Sequence, residues 1–200
     1  MAAVLAVLLA GACTARPDLA LPSSERGRSD LIDTAVEVLV DLCLHARGAA
    51  GPPVRQDVMF GAGPAELSIT LATGYTVRAH TDGCLAQAQR YLYGDQARWF
   101  RAEVTVNNLR PEAQARLSKD ASWRAALARQ KACAPRDGAC IRASGLQQLR
   151  ARLEPALLRQ VRAAHRDDIA TYDRLRDRAV HRAAGLLAGR STPHPKGTNP

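Results

Sequence analysis

The recurrence of apolar residues at spacings of three and four restricts the fold of this chain more than any other feature. The pattern is longest from Ile141 to Gly189, which corresponds to one continuous amphipathic helix. At ~1.5 Å rise per residue such a helix would be about 70 Å long, more than a domain of roughly 160 residues is wide. The segment must therefore bend, protrude or pack on a partner. Pro155 is the predicted bend, because proline removes a backbone donor and clashes with the preceding turn.

Further helices are predicted before this segment. Aspartate at a helix start accepts backbone N–H bonds, and glycine after a helix relieves the turn that ends it. Helix starts are predicted at Asp30, Cys84, Asp95, Asp120 and Asp137, and helix ends at Gly48 and Gly94. Residues 54–82 leave two possibilities open: a helix over Leu67–Ala72, or a strand pair that includes Ile69 and Val77.

The N-terminus has the features of an export signal. Ala2–Ala10 is uncharged and apolar, long enough for a signal peptide and too short to span a bilayer. It ends at Ala10-Gly11-Ala12-Cys13, which satisfies the small-x-small rule for signal peptidase and resembles a bacterial lipobox, with Ala10 in place of the usual leucine or valine. We expect Cys13 to be lipidated. The alternatives are cleavage that frees a secreted protein and a cytosolic protein with an apolar start.

The cysteine count agrees with export. Five cysteines are present, and lipidation of Cys13 leaves an even number for disulfides, which persist in oxidising compartments. The remaining four are Cys43, Cys84, Cys133 and Cys140. The predicted fold is mostly α, a disulfide-linked helical bundle with a long C-terminal helix. Its predicted parts are a signal peptide (1–12), a flexible tether (13–29), a helical domain (30–190) and a disordered tail (191–200).

Four cysteines allow three pairings. Cys84 opens a predicted helix and Cys133 closes one, and Cys43 closes the first helix while Cys140 opens the last. Neighbouring antiparallel helices would bring such ends together, and long loops gain most from closure, so Cys84–Cys133 with Cys43–Cys140 is the expected arrangement. The rival is Cys133–Cys140, across a short connection that contains proline and glycine.

Four local patterns carry a family resemblance: Cys43 with Gly48; Gly83-Cys84 with Leu92-Tyr93-Gly94; Trp99-Phe100 through Val106-Asn107-Asn108-Leu109; and Asp137-Gly138-Ala139-Cys140 with Gly145-Leu146. Together they resemble an uncharacterised exported four-cysteine helical family of actinobacteria, which is expected to consist of lipoproteins. The chain departs from the family at Gln130, Leu44 and Ala134, and it is shorter between Cys133 and Cys140. The resemblance implies a secreted helical fold and supplies no activity.

The charge of the chain does not indicate nucleic-acid binding. Lysine and arginine number 28 against 19 acidic residues, a net charge of +9, but the basic residues are scattered along every segment. Aromatic residues make up 4% of the chain, too few for base-stacking platforms. A solvated basic surface is expected, with no nucleic-acid partner.

Candidate catalytic residues occur without a recognisable motif. His165 and Asp168 share a helix face at i, i+3, as do Asp168 and Tyr172 at i, i+4, and Asp167 or Glu154 could contribute a second carboxylate. Cys43-Leu44-His45 and the later cysteines lack metal-ligand spacing. Trp99-Phe100 is interpreted as buried packing beside Trp123 rather than a ligand cleft. No catalytic, cofactor or metal site is therefore predicted.

Three functions are consistent with these features. The leading hypothesis is a non-catalytic accessory or binding protein of the cell envelope, attached to the membrane through lipid and using its long C-terminal helix as a contact surface. An exported hydrolase with a dispersed carboxylate or histidine site is the first alternative. The second is a basic protein that binds anionic envelope polymers or lipid headgroups.

Overall fold

Helices account for most of the computed structural model, which describes residues 21–49 and 51–191. This confirms the predicted fold class. The predicted signal peptide, the lipidation site Cys13 and the tail beyond Ser191 lie outside the described residues. The helices and strands, in chain order, are α1 (Glu25–Ala46), α2 (Pro52–Phe60), β1 (Leu67–Thr70), β2 (Thr76–Ala79), α3 (Cys84–Tyr93), α4 (Gln96–Asn107), α5 (Leu109–Lys119), α6 (Ala121–Lys131), α7 (Gly138–Ala143), α8 (Leu146–Ala164) and α9 (Arg166–Ser191).

Local capping sets most helix starts. The predicted caps are confirmed where aspartate carboxylates accept backbone N–H bonds at the starts of α4, α6 and α7, from Asp95, Asp120 and Asp137 respectively. The first helix differs from the prediction. It begins at Glu25 rather than after Asp30, because the Ser24 hydroxyl accepts the N–H of Gly27 at 3.1 Å. Residues 25–29 of the predicted tether are therefore helical.

The ambiguous segment between residues 54 and 82 forms a short helix and a hairpin. Strands β1 and β2 pair antiparallel, with Leu67 opposite Ala79 and Thr70 opposite Thr76. Gly74 lies in the connecting turn at φ 86°, a conformation that glycine adopts without strain. The strand alternative is thus correct, and the helix over Leu67–Ala72 is wrong, because β-branched residues and this turn favour a hairpin.

The long C-terminal segment is divided into α7, α8 and α9. The divisions fall at Gly145, with φ 75°, and at His165, with φ −106°. Pro155, the predicted site of a bend, does not break the helix, since α8 runs continuously across that residue. The chain instead turns at His165, opposite the interruption between α4 and α5 at Asn108.

Two interrupted helix pairs therefore run side by side. Helix α9 packs on α4, and α8 packs on α5. The pairing is antiparallel, because Arg101 contacts Asp168 at 3.2 Å whereas the later Arg110 contacts the earlier Glu154 at 3.1 Å. Tertiary packing, not proline, thus determines where the C-terminal segment turns.

The largest core cluster lies between α1, α3, α4 and α9. It consists of Ile32, Ala35, Leu92, Tyr93, Trp99, Leu175, Ala179, Val180 and Ala183. Helix α9 is also attached by polar contacts, since Arg178 donates to the backbone carbonyl of Tyr93 at 3.0 Å and Arg176 to the Ser29 hydroxyl at 2.7 Å. The apolar face of α9, predicted as a contact surface for a partner, is therefore occupied within the chain.

Each disulfide joins two cysteines that are consecutive among the four in the described residues. Cys43 pairs with Cys84 and Cys133 with Cys140, with Cα separations of 5.6 and 5.7 Å. The crossed pairing is wrong and its rival, Cys133–Cys140, is correct. The end-to-start geometry on which the crossed pairing rested does occur, but between α1 and α3, which pack directly against each other.

Two structural disulfides indicate an oxidising, extracytoplasmic environment. Within the described residues, no helix is both long and apolar enough to cross a membrane.

Candidate functional site

A groove of about 700 Å³ lies between α8 and the α4–α5 pair and is here called the basic groove. Its floor is apolar and consists of Val106, Leu109, Ala151, Pro155 and Leu158. Beneath the floor, α5 and α8 are held together by Ala113 and Val161, both fully buried. The short side chains of Ala151 and Pro155, one turn apart, leave room between the helices.

Charged side chains border this floor. Arg110, Arg150, Arg162 and Glu154 line the groove. Glu154 accepts hydrogen bonds from Arg150 Nε at 2.8 Å and Arg110 Nε at 3.1 Å. These bonds, that from Arg150 being the stronger influence, lower the pKa of Glu154. Arg162 forms no ion pair or hydrogen bond with any residue that the structure describes. Three guanidinium groups and one carboxylate therefore leave the groove positively charged.

The candidate carboxylates from the sequence are not brought together. Glu154 lies in the basic groove, whereas Asp167 is exposed and contacts its neighbour Arg166 at 3.4 Å. A paired-carboxylate site built from these residues is therefore not formed.

His165 lies in a separate cluster, here called the histidine junction, at the turn between α8 and α9. His165 Nε2 is 2.9 Å from Glu112 Oε2, and His165 Nδ1 is 3.8 Å from Asp168 Oδ2. Arg116 donates to Glu112 at 2.6 Å, and Arg101 donates to Asp168 at 3.2 Å. The predicted proximity of His165 and Asp168 is confirmed, and it extends into a chain of alternating basic and acidic side chains.

Sequence reasoning missed Glu112 as a member of this cluster. Its i, i+4 spacing to Arg116 was the only local signal, and that spacing is common on exposed helices. The link from Glu112 to His165 depends on the packing of α5 against α8. Tyr172, predicted to share the Asp168 face, instead stacks on Trp99 with ring centroids 5.2 Å apart. Trp99 is buried as predicted, but its stacking partners are Tyr93 and Tyr172.

The ionisation of Glu112 is coupled to folding. Burial raises the pKa of this carboxyl, but hydrogen bonds from His165 and Arg116 outweigh burial, so the net pKa is lowered. A carboxyl whose folded pKa lies below its unfolded value of about 4.3 stabilises the fold above that pH. The stabilisation is lost as the pH falls through the folded pKa.

We therefore expect Glu112→Gln to lower the free energy of unfolding by about 1 kcal/mol at neutral pH, with the difference from wild type shrinking below about pH 4. Urea titrations at several pH values measure both quantities. The control is Glu37→Gln, an exposed glutamate of α1, which should change little at any pH. A Glu112→Gln difference that is constant from neutral to acid pH would contradict the linkage.

The described residues contain no group of three or more histidine, cysteine, aspartate or glutamate side chains arranged to hold a metal ion. The basic groove and the histidine junction contain the candidate residues from which we infer a function. No known protein family, curated protein or solved structure matches the chain.

Proposed function

We propose that this protein is an exported, lipid-anchored binding protein of the cell envelope, without catalytic activity, that holds an anionic amphiphile in the basic groove. The groove carries the proposal because it combines an apolar floor with an excess of arginine. In this proposal the chain is a member of the exported four-cysteine family that its sequence resembles, and the membrane is reached through lipid on Cys13.

The floor suits an acyl chain. Burial of apolar surface stabilises a complex by about 25 cal/mol per Å², and ligand sites are typically clefts of roughly 300–1,000 Å³. The basic groove, at about 700 Å³, falls within that range. A ligand with hydrocarbon against Ala151 and Pro155 would cover side chains that otherwise face water.

The rim suits an anionic headgroup. Guanidinium groups bind phosphate and carboxylate through paired N–H bonds and are less strongly hydrated than ammonium groups. Arg110 and Arg150 share Glu154, which partly neutralises them. Arg162 has no acidic partner among the described residues, so an anionic ligand group would gain most from contact with this side chain.

The hydrolase alternative rests on His165, which lies between two carboxylates. Its Nε2 atom is bound to Glu112, and both carboxylates are held by arginines. Within the described residues, no hydroxyl or thiol group forms a hydrogen bond with His165. This arrangement favours a structural connection between α5 and α9 over proton transfer, and we therefore favour the binding function.

Arg162→Glu tests the groove. We expect wild-type protein to bind monomeric lysophosphatidylglycerol, an anionic single-chain phospholipid, and Arg162→Glu to weaken that binding about tenfold or more. Isothermal titration calorimetry gives the affinities. The matched control is Arg159→Glu on the same helix, which makes the same charge change at an exposed site outside the groove.

Two outcomes contradict the groove. Equal weakening by Arg159→Glu would mean that binding follows overall charge rather than this site. Equally tight binding of an acyl-free glycerol phosphate polymer would mean that the apolar floor contributes nothing, and would favour the anionic-polymer alternative.

Lipid attachment has its own test. We expect wild-type protein to fractionate with membranes and Cys13→Ala to appear in the culture medium, since a covalent acyl chain contributes about 0.8 kcal/mol per buried methylene to membrane binding. Immunoblots of the fractions measure the distribution. A Cys133→Ala/Cys140→Ala double variant should stay with the membrane. A soluble wild-type protein whose mature N-terminus is unmodified Cys13 would contradict lipidation.

A further inference from the structure

A second cavity, here called the Glu103 cavity, lies where α1, α3, α4 and α9 meet. Its volume is about 180 Å³. Its lining includes Ser29, Asp33, Tyr93, Trp99, Glu103 and Tyr172. We propose that this cavity binds a small organic ammonium group, through the Glu103 carboxylate and the adjacent aromatic rings. The proposal is independent of the basic groove.

The three aromatic residues that line the cavity also pack in the largest core cluster. Tyr93 and Trp99 stack with centroids 3.6 Å apart and planes 5° from parallel. Tyr172 stacks on Trp99 from α9, at 5.2 Å and 20°. Trp99 is only 3% exposed, whereas Tyr172 is half-buried and borders the opening. The two tyrosines cover the faces of the Trp99 indole, so the half-buried Tyr172 is the ring that an entering cation can contact, and aromatic faces attract cations.

Glu103 contributes a carboxyl group that is not paired with a cation in the described part of the chain. Burial raises the pKa of Glu103, although a hydrogen bond from the Trp99 side chain opposes this effect. Asp33, an exposed carboxylate on α1, adds a second negative charge at the rim.

The nearby arginine does not neutralise this site. Arg176 also lines the cavity, but its guanidinium group is bound to Glu25 and donates to the Ser29 hydroxyl at 2.7 Å. When ionised, the carboxylates of Glu103 and Asp33 outnumber the single guanidinium of the lining, which is already paired with Glu25, and this excess favours a cationic guest.

Size and donor chemistry identify the class of cation. At ~30 Å³ for each water-sized group, the cavity holds roughly six such groups, enough for an alkylated ammonium head. Within the described residues no three histidine, cysteine, aspartate or glutamate side chains are grouped to hold a metal ion, and aromatic rings do not replace the water that a hard metal ion would lose. Methylated ammonium groups suit aromatic walls because they carry positive charge on an apolar surface.

Choline and its neutral carbon isostere, dimethylbutanol, are the probes. We expect choline to shift the indole N–H signal of Trp99 in NMR spectra of the full chain, with the signal assigned through Trp123→Phe. Glu103→Gln should weaken choline binding about tenfold, because it removes the charge and keeps the shape. Tyr172→Leu should also weaken binding, because it removes a ring at the opening. The control Glu37→Gln makes the same change on α1 outside the cavity and should leave choline binding unchanged.

The proposal is overturned if wild-type protein does not bind choline, if dimethylbutanol binds as tightly, or if Glu103→Gln binds choline as wild type does. The unchanged dispersion of the remaining amide signals verifies that each variant is folded.

Discussion

Replacing both Cys43 and Cys84 with alanine is expected to lower the free energy of unfolding by about 4 kcal/mol. The two residues are separated by 41 positions, and closure of a loop of that length removes this much unfolded-state entropy in the chain-entropy account of disulfides. The cysteines are also buried in the cluster between α1 and α3, at 8% and 0% exposure. Reversible urea unfolding of oxidised wild type and the double variant measures the difference.

The second disulfide is the matched control. Cys133 and Cys140 are separated by only 7 positions and are half-exposed, so their replacement by alanine should cost only about 2.5 kcal/mol. Helix α1 should remain associated with α3 in this variant. The alternative outcomes are an equal loss of free energy of unfolding in the two double variants and a larger loss in the Cys133/Cys140 variant. Either result would contradict the conclusion that the Cys43–Cys84 bond, which joins α1 to α3, is the more stabilising disulfide.

Trp99→Ala is expected to lower the free energy of unfolding by about 3 to 5 kcal/mol. The indole is buried between two tyrosines, so its removal loses apolar burial, leaves a cavity and ends both stacking contacts. The rings come from α3, α4 and α9, so the variant should loosen contacts among all three helices. Urea unfolding followed by circular dichroism measures the effect without relying on tryptophan fluorescence.

Tyr91→Ala is the control for the loss of an aromatic ring. Tyr91 lies on α3, close in sequence to Tyr93, but is 47% exposed. Its replacement should change stability by no more than about 0.5 kcal/mol. If Trp99→Ala were as mild as Tyr91→Ala, the aromatic stack would not be part of the principal core.

Much of the local structure could be predicted because its causes lie within a few residues. Asp95, Asp120 and Asp137 each accept a backbone N–H two or three positions ahead, so the same short stretch contains donor and acceptor. Gly94 ends α3 at φ 87°, which also depends on one residue. The helix start at Glu25 was missed because Ser24 is a comparable cap within a stretch rich in proline and serine.

Only part of the candidate sites could be predicted in this way. The spacing of His165 and Asp168 on one helix anticipated half of the histidine junction. Glu112 comes from α5 and Arg101 from α4, so neither could be assigned to the junction without knowing which helices are neighbours. The basic groove and the Glu103 cavity likewise combine residues from helices distant in sequence.

The sequence by itself determined the helical class, most helix boundaries and the presence of disulfide-forming cysteines, because apolar periodicity, capping and cysteine number are properties of the chain. Only the tertiary structure decided the pairing of Cys43 with Cys84, the turn at His165 instead of Pro155, and the burial of the apolar face of α9. The physical reason is that these features depend on which helices pack together. That choice is made by contacts summed over whole faces, and no short stretch of sequence contains both sides of such a contact.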